Sequence, residues 1–300
     1  MPELSWLDTY LQYLLVDRHY SVKTKTAYQA DIQDFINFMN IDNQFKHFAD
    51  VQYEDIEAYL TYLNEKNLAR SSVARKISSL RAFYTFLVKN EYITNNPFIG
   101  VELKKQAKRL PAFFYEQEME TLINAASGDT PLAERNQALI EVLYATGIRV
   151  SECASLTLSQ IDFDLKIMLI HGKGDKDRYV SFGNYALKAL TRYLHDGRQQ
   201  LMKQQHHDYV FVNHLGKPLS VAGIEYILKQ IIKKTDLTAN IHPHMLRHTF
   251  ATQMIDHGAD LRTVQELLGH SSLSTTQLYT HVTMAHLQKD YRDHFPRANN

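Results

Sequence analysis

Among the residues of the 300-residue chain that can bind negative charge or move protons, six stand out at the ends of expected elements: Arg149, Lys173, His244, Arg247, His270 and Tyr279. Arg149 follows the run ATGI at the end of an apolar-periodic segment and precedes Ser151-Glu152, which could cap the next helix. Lys173 lies in GKGDKD, between the β-rich runs IMLIH and RYVSF, so a hairpin carrying a turn lysine is expected. His244 and Arg247 are three apart at the start of a helical run and share a face. His270 follows Gly269, a helix stop, and Tyr279 stands in the nearly uncharged stretch LLGHSSLSTTQLYTHV. A tyrosine hydroxyl, with a pKa of ~10, is a poor nucleophile unaided. The other five supply what it would need against a phosphodiester. Attack concentrates negative charge on the nonbridging oxygens, which two guanidiniums can clamp. Imidazoles donate to the same oxygens or take the nucleophile's proton. A lysine in a turn protonates the departing sugar oxygen. Tyrosine then carries a covalent phosphoester, with no metal and no cofactor required.

Taken singly, each residue has an ordinary reading. Arg149 could pair with a surface carboxylate, and Lys173 could simply solubilise a turn. His244 and His248, four apart, resemble half of a metal site. Met245 stands where an HExxH motif has its glutamate, however, and Cys153 is the chain's single cysteine. Tyr279 alone reads as a partly buried amphipathic side chain. Only the set points to a reaction.

Such a set needs a scaffold, and the length suggests two domains. Hydrophobic residues at 44% against charged residues at 22% describe a globular chain, not a disordered one. No apolar run reaches eighteen residues, no basic stretch precedes an apolar one at the N-terminus, and a lone cysteine builds no disulfide framework. A cytoplasmic, reducing setting without membrane contact is the expectation. The first hundred residues read as helices. WLDTYLQYLL, SVKTKTAYQADIQDFINFM, VQYEDIEAYLTYL and SSVARKISSLRAFYTFLVKN each repeat apolar residues at helical spacing. The net charge of zero hides a switch of sign. Residues 1–65 hold four Lys/Arg against eleven Asp/Glu, and residues 66–109 hold ten against two. A basic block of this kind is a polyanion footprint. Arg70, Arg75, Lys76 and Arg81 fall on the polar side of one helix, and Lys104 and Lys105 follow a turn marked by Asn95, Asn96, Pro97 and Gly100. These six are the candidate DNA-binding residues. The expected fold is mainly α, with one small antiparallel β element. Residues 1–100 form a helical DNA-binding domain, 101–111 a basic linker, and 112–300 a mostly helical domain carrying the chemistry.

The motifs TGIRVSE, GKGDKDR, HPHMLRHTFAT, LLGHSSLSTTQLYTHV and DHFPRA, in this order, resemble those of the tyrosine recombinase (phage integrase) family. Within it they are most similar to the bacterial Xer recombinases, and the likeness covers essentially the whole chain. It implies a SAM-like core-binding domain and a catalytic domain that clamp a duplex between them. It implies Tyr279 as the nucleophile of a 3′-phosphotyrosyl intermediate, Arg149 and Arg247 on the scissile phosphate, and His270 assisting them. Lys173 is then the general acid for the 5′-hydroxyl, and His244 a proton-transfer residue. It further implies a synaptic tetramer on two recombination sites, of this chain alone or with a paralogous recombinase, and a septal DNA translocase as activator. The tail at roughly 284–300, with Leu287, Tyr291 and Phe295, would contact a neighbouring protomer. The expected function is resolution of chromosome or plasmid dimers. The alternatives are a phage or mobile-element integrase and a DNA-binding protein without catalysis.

Overall fold

Each of the apolar repeats becomes a helix, and in a computed structural model the chain divides into two units, Met1–Arg109 and Leu110–Asn300. The structure describes residues 4–41, 47–103, 113–172, 177–237, 243–269 and 281–298, with backbone alone at residues 4, 243–244 and 281–286. The result is a mainly α fold with one small antiparallel sheet, as the periodicity implies.

The first unit contains α1 (Leu4–Val16), α2 (Val22–Met39), α3 (Tyr53–Glu65) and α4 (Arg70–Lys89). Ser21 caps α2 by accepting from the Thr24 N–H. The apolar stripes meet in an aromatic-rich core that includes Phe35, Tyr59, Phe83, Tyr84 and Phe98. Burial of these rings drives the unit's assembly. One polar cluster interrupts that core. Asp31 on α2 is almost fully buried; it accepts from Arg75 and, at 2.8 Å, from the Ser79 hydroxyl, and forms an ion pair with Lys76 at 3.5 Å, all on α4. Asp34 accepts from Lys76 at 3.0 Å and from the Tyr59 hydroxyl at 2.9 Å. After α4 the chain turns at Asn96, and Phe98 and Val101 enter the first unit's core. Arg81 pins that return by donating to the carbonyls of Phe98 and Val101.

The second unit opens with α5 (Glu116–Ala126) and α6 (Pro131–Thr146). Helix α6 is its spine: from Ala138 to Thr146 every residue is buried. Thr130 caps its start, Pro131 occupies the first turn, and Gly147 ends it in a left-handed conformation. Then come α7 (Val150–Ser155) and the strands β1 (Ile161–Asp162), β2 (Ile167–His171) and β3 (Asp177–Ser181), paired in that order and antiparallel. The β2–β3 hairpin matches the sequence expectation, and β1 is an addition too short for any pattern to show. Helix α8 (Asn184–Arg192) continues through a π-turn at Tyr193–Gly197 into α9 (Arg198–Met202). The remaining helices are α10 (Val221–Ile232), α11 (Pro243–Asp256), α12 (Leu261–Leu268) and α13 (His281–His294). Leu287, Tyr291 and Phe295 are buried in the core of their own unit. Arg297 lies 3.7 Å from the Tyr185 ring centroid and pairs with the buried carboxylate of Glu141. Among the described residues no helix is long and apolar enough to cross a membrane.

Gly147 has a second constraint besides its φ of +60°: a Cβ there would lie 2.5 Å from Cδ1 of Phe250 on α11. Gly147→Ala should therefore destabilise the second unit by about 2 kcal/mol, through strain and overpacking together. Urea denaturation followed by far-UV circular dichroism measures it; an unchanged midpoint would mean that α11 shifts freely.

Candidate active site

Three arginines far apart in sequence converge where α7, β3, α11 and α12 meet. Arg149 is the residue before α7, and Glu152 stands three residues on, in that helix's first turn. The Arg149 peptide N–H donates to Glu152 Oε2 at 2.8 Å, and its guanidinium donates through Nη1 to Oε1 at 2.7 Å. From β3, Arg178 grips the same carboxylate, Nη1 to Oε1 at 3.1 Å and Nη2 to Oε2 at 2.8 Å. An ionised carboxylate offers about four acceptor sites, and all are filled. Burial alone would raise the Glu152 pKa, but the Arg178 and Arg149 hydrogen bonds and charge hold it below the usual carboxylate value.

Arg247 on α11 is held differently. Its Nη1 donates to the Gly147 carbonyl at 2.8 Å, and its Nη2 to the Leu268 carbonyl. These are carbonyls at the C-terminal ends of α6 and α12, where a helix has no internal donor left to offer and its dipole favours a cation. Arg178 Nε takes the neighbouring Leu267 carbonyl at 3.0 Å. Burial, followed by the charges of Arg149 and Arg178, lowers the Arg247 pKa to about 10, with Glu152 opposing. Three guanidiniums thus gather around one carboxylate that bonds two of them, and the excess positive charge suits an anion. Access differs among them. The Arg149 side chain is 36% exposed and Arg178 only 6%, so Arg149 can meet a ligand that Arg178 cannot.

The other expected site residues are less fully described. Lys173, His270 and Tyr279 lie outside the described residues, and so do Lys104 and Lys105. His244 is on α11, three positions before Arg247, with its side chain likewise outside. In sequence, Lys173 falls between β2 and β3, whose ends are joined by His171 and Asp177 at 2.7 Å. The candidate DNA-binding arginines and lysine of α4 have distinct fates. Arg70 is exposed, and Arg75 keeps 48% of its side chain exposed while bonded to Asp31. Lys76 is largely enclosed by Asp31 and Asp34, and Arg81 is spent on backbone carbonyls. Sequence alone assigns no role to Arg178 and gives Glu152 only that of a cap. The R-x-x-E spacing around α7 was the signal for Glu152. For Arg178 it was the alternation in RYVSF, which puts Arg178 on the same buried face as Val180.

Comparison with known proteins agrees over nearly the whole length. Residues 112–286 match the model described as the phage integrase family, and residues 7–91 the phage integrase N-terminal SAM-like domain. The tyrosine recombinase XerC of Lacticaseibacillus casei (strain BL23) is 60% identical over 96% of this chain and 97% of its own. That of Pediococcus pentosaceus is 52% identical over 97% and 98% respectively. Among solved structures, the XerH site-specific recombinase bound to a palindromic difH substrate shares the fold, with a TM-score of 0.71, 24% identity, and coverage of 95% of this chain and 83% of that one.

The depressed pKa of Glu152 makes its stabilisation pH-dependent. It is fully present above the unfolded carboxyl's value of 4.5 and is lost as the pH falls through the lower folded value. Glu152→Gln should cost about 3 kcal/mol at pH 7 by leaving Arg178 short of a buried counter-charge. Paired denaturation curves at pH 7 and in acid should show the gap narrowing in acid; a gap that is constant with pH would mean the charge is irrelevant.

Proposed function

The chain belongs to the phage integrase family and is a site-specific tyrosine recombinase; from that premise we propose how its residues divide the reaction and what the reaction serves. Tyr279 attacks the scissile phosphorus, so that a tyrosyl Oη–P bond forms and the P–O5′ bond breaks. Arg149 and Arg247 neutralise the nonbridging oxygens, on which charge accumulates as the fifth ligand arrives. His270 donates to the same oxygens, His244 takes part in proton transfer with Tyr279, and Lys173 delivers a proton to the departing 5′-oxygen. The exchange of one phosphoester for another conserves bond energy, so neither ATP nor a metal is needed. A 5′-hydroxyl from a second cleaved strand reverses the chemistry and seals the recombinant.

The observation that carries this reading is the placement of Arg247. It donates to the carbonyl of Gly147, two residues before Arg149, and this puts two cations from distant parts of the chain in one partly open site. The partner is a duplex DNA recombination site, in line with the palindromic difH substrate to which the XerH recombinase is bound. Four protomers on two such sites, of this chain or with a paralogue, exchange strands in pairs. The biological role is resolution of chromosome or plasmid dimers in the cytoplasm at cell division, with a septal DNA translocase as activator.

On a nicked suicide duplex carrying the host's candidate dimer-resolution site, the wild type should form a covalent protein–DNA adduct in the presence of EDTA, and Tyr279→Phe should bind without forming one. An adduct with the phenylalanine variant in a denaturing gel would reassign the nucleophile. Lys173→Ala should slow cleavage of the normal phosphate by about a hundredfold or more. It should leave a substrate with a 5′-thio leaving group nearly untouched, because a thiolate departs without protonation. Equal losses on the two substrates would remove Lys173 from the general-acid role.

A further inference from the structure

Arg178 has no assigned part in this reaction, yet among the described residues it bonds both to the Glu152 carboxylate and to the end of α12. It leaves β3, the strand that follows Lys173 in sequence. It seizes both oxygens of Glu152, which in turn holds Arg149 by its guanidinium and its peptide N–H. Its Nε holds the Leu267 carbonyl, next to the Leu268 carbonyl that Arg247 uses. Gly269, the residue before His270, packs against it so closely that a Cβ there would lie 2.9 Å from Arg178 Cδ. The pairing register of the hairpin sets Arg178 opposite Ile170 on the buried face of the sheet, a position where an apolar side chain would be the ordinary choice.

We propose that Arg178 is a positioning residue for DNA cleavage: by gripping the Glu152 carboxylate and the C-terminal end of α12, it fixes Arg149, and with it the phosphate-binding geometry. The inference rests on the assignment of Arg149 to the scissile phosphate. Arg178 does not bind the phosphate itself. Its guanidinium is enclosed, and all three of its nitrogens already donate within the protein. Glu152 uses every acceptor site, so the Arg149 guanidinium can swing toward a phosphate only along the arc that this carboxylate permits. Lysine is a poor substitute at such a place, because it lacks the planar fork that meets a carboxylate at two points while a third donor reaches a carbonyl.

The test compares single-turnover cleavage of two nicked duplexes carrying the host's candidate dimer-resolution site. One has the normal scissile phosphate, and the other a methylphosphonate there, which removes the negative charge that the arginines neutralise. Arg178→Lys and Arg178→Met should each lose about a hundredfold on the phosphate, the loss typical of a misplaced charge-stabilising donor. On the methylphosphonate both should stay within about threefold of the wild type, since the misplaced charge no longer matters. Equal losses on the two substrates would reduce Arg178 to a structural pin, and no loss on either would remove it from the site. A buried carboxylate left alone can unfold the protein. The double variant Glu152→Gln with Arg178→Met, which is neutral at both positions, is therefore measured beside the single variants. It should recover the wild-type thermal midpoint yet keep the phosphate-specific defect; recovered cleavage would mean that Arg178 merely balances Glu152. A wild type that forms no adduct on the phosphate duplex would instead overturn the assigned chemistry. That result is distinct from every outcome that bears on Arg178.

Discussion

A carboxylate with almost no access to water sits between two arginines, and the catalytic unit is organised around that constraint. Glu152 cannot ionise inside the protein without partners, and Arg149, Arg178 and Arg247 cannot crowd together without an opposing charge. Each side makes the other tolerable. The acceptor sites of one small group therefore tie the first turn of α7 to β3, and Arg178 carries the link on to the end of α12. A site built this way resists small displacements, because shifting any one element breaks a bond to a charged, buried partner.

The second device is the use of helix ends. Carbonyls that α6 and α12 cannot satisfy internally become acceptors for Arg247 and Arg178. Groups left over by the geometry of a helix thereby hold two cations without further carboxylates. That economy leaves the cluster short of negative charge, and a phosphate can supply the missing part.

Much of this was legible in the sequence, for identifiable reasons. The helices follow from apolar spacing, as in α4 with Val73, Ile77, Leu80, Tyr84 and Leu87 on one buried face. Gly147 and Gly269 were readable as helix stops, but the Phe250 ring and the Arg178 side chain that also exclude a Cβ come from distant parts of the chain. The family followed from five ordered motifs, and the matching family models and close relatives bear it out. Arg178 was not legible as a hub. Its inward direction depends on how β3 pairs with β2, and a basic residue in a charged turn motif reads as solvated. The partners of Arg75 and Lys76 were hidden for the same reason, since Asp31 and Asp34 lie on another helix and only packing brings them across. The tail shows the reverse case: Leu287, Tyr291 and Phe295 were recognisable as an apolar side, but periodicity could not say which core receives it, and here it is that of their own unit.

The Asp31 and Asp34 cluster bears on how the first unit would respond to ionic strength. A cation that already faces a carboxylate adds little net charge to the surface, so it displaces few of the ions condensed on a nucleic acid. Lys76 is enclosed in such pairs and Arg75 shares one. Counting basic residues on α4 therefore overstates the number of salt ions that this unit exchanges when it meets a polyanion. Its attachment should be less easily washed off by salt than its sequence suggests, and more dependent on fit.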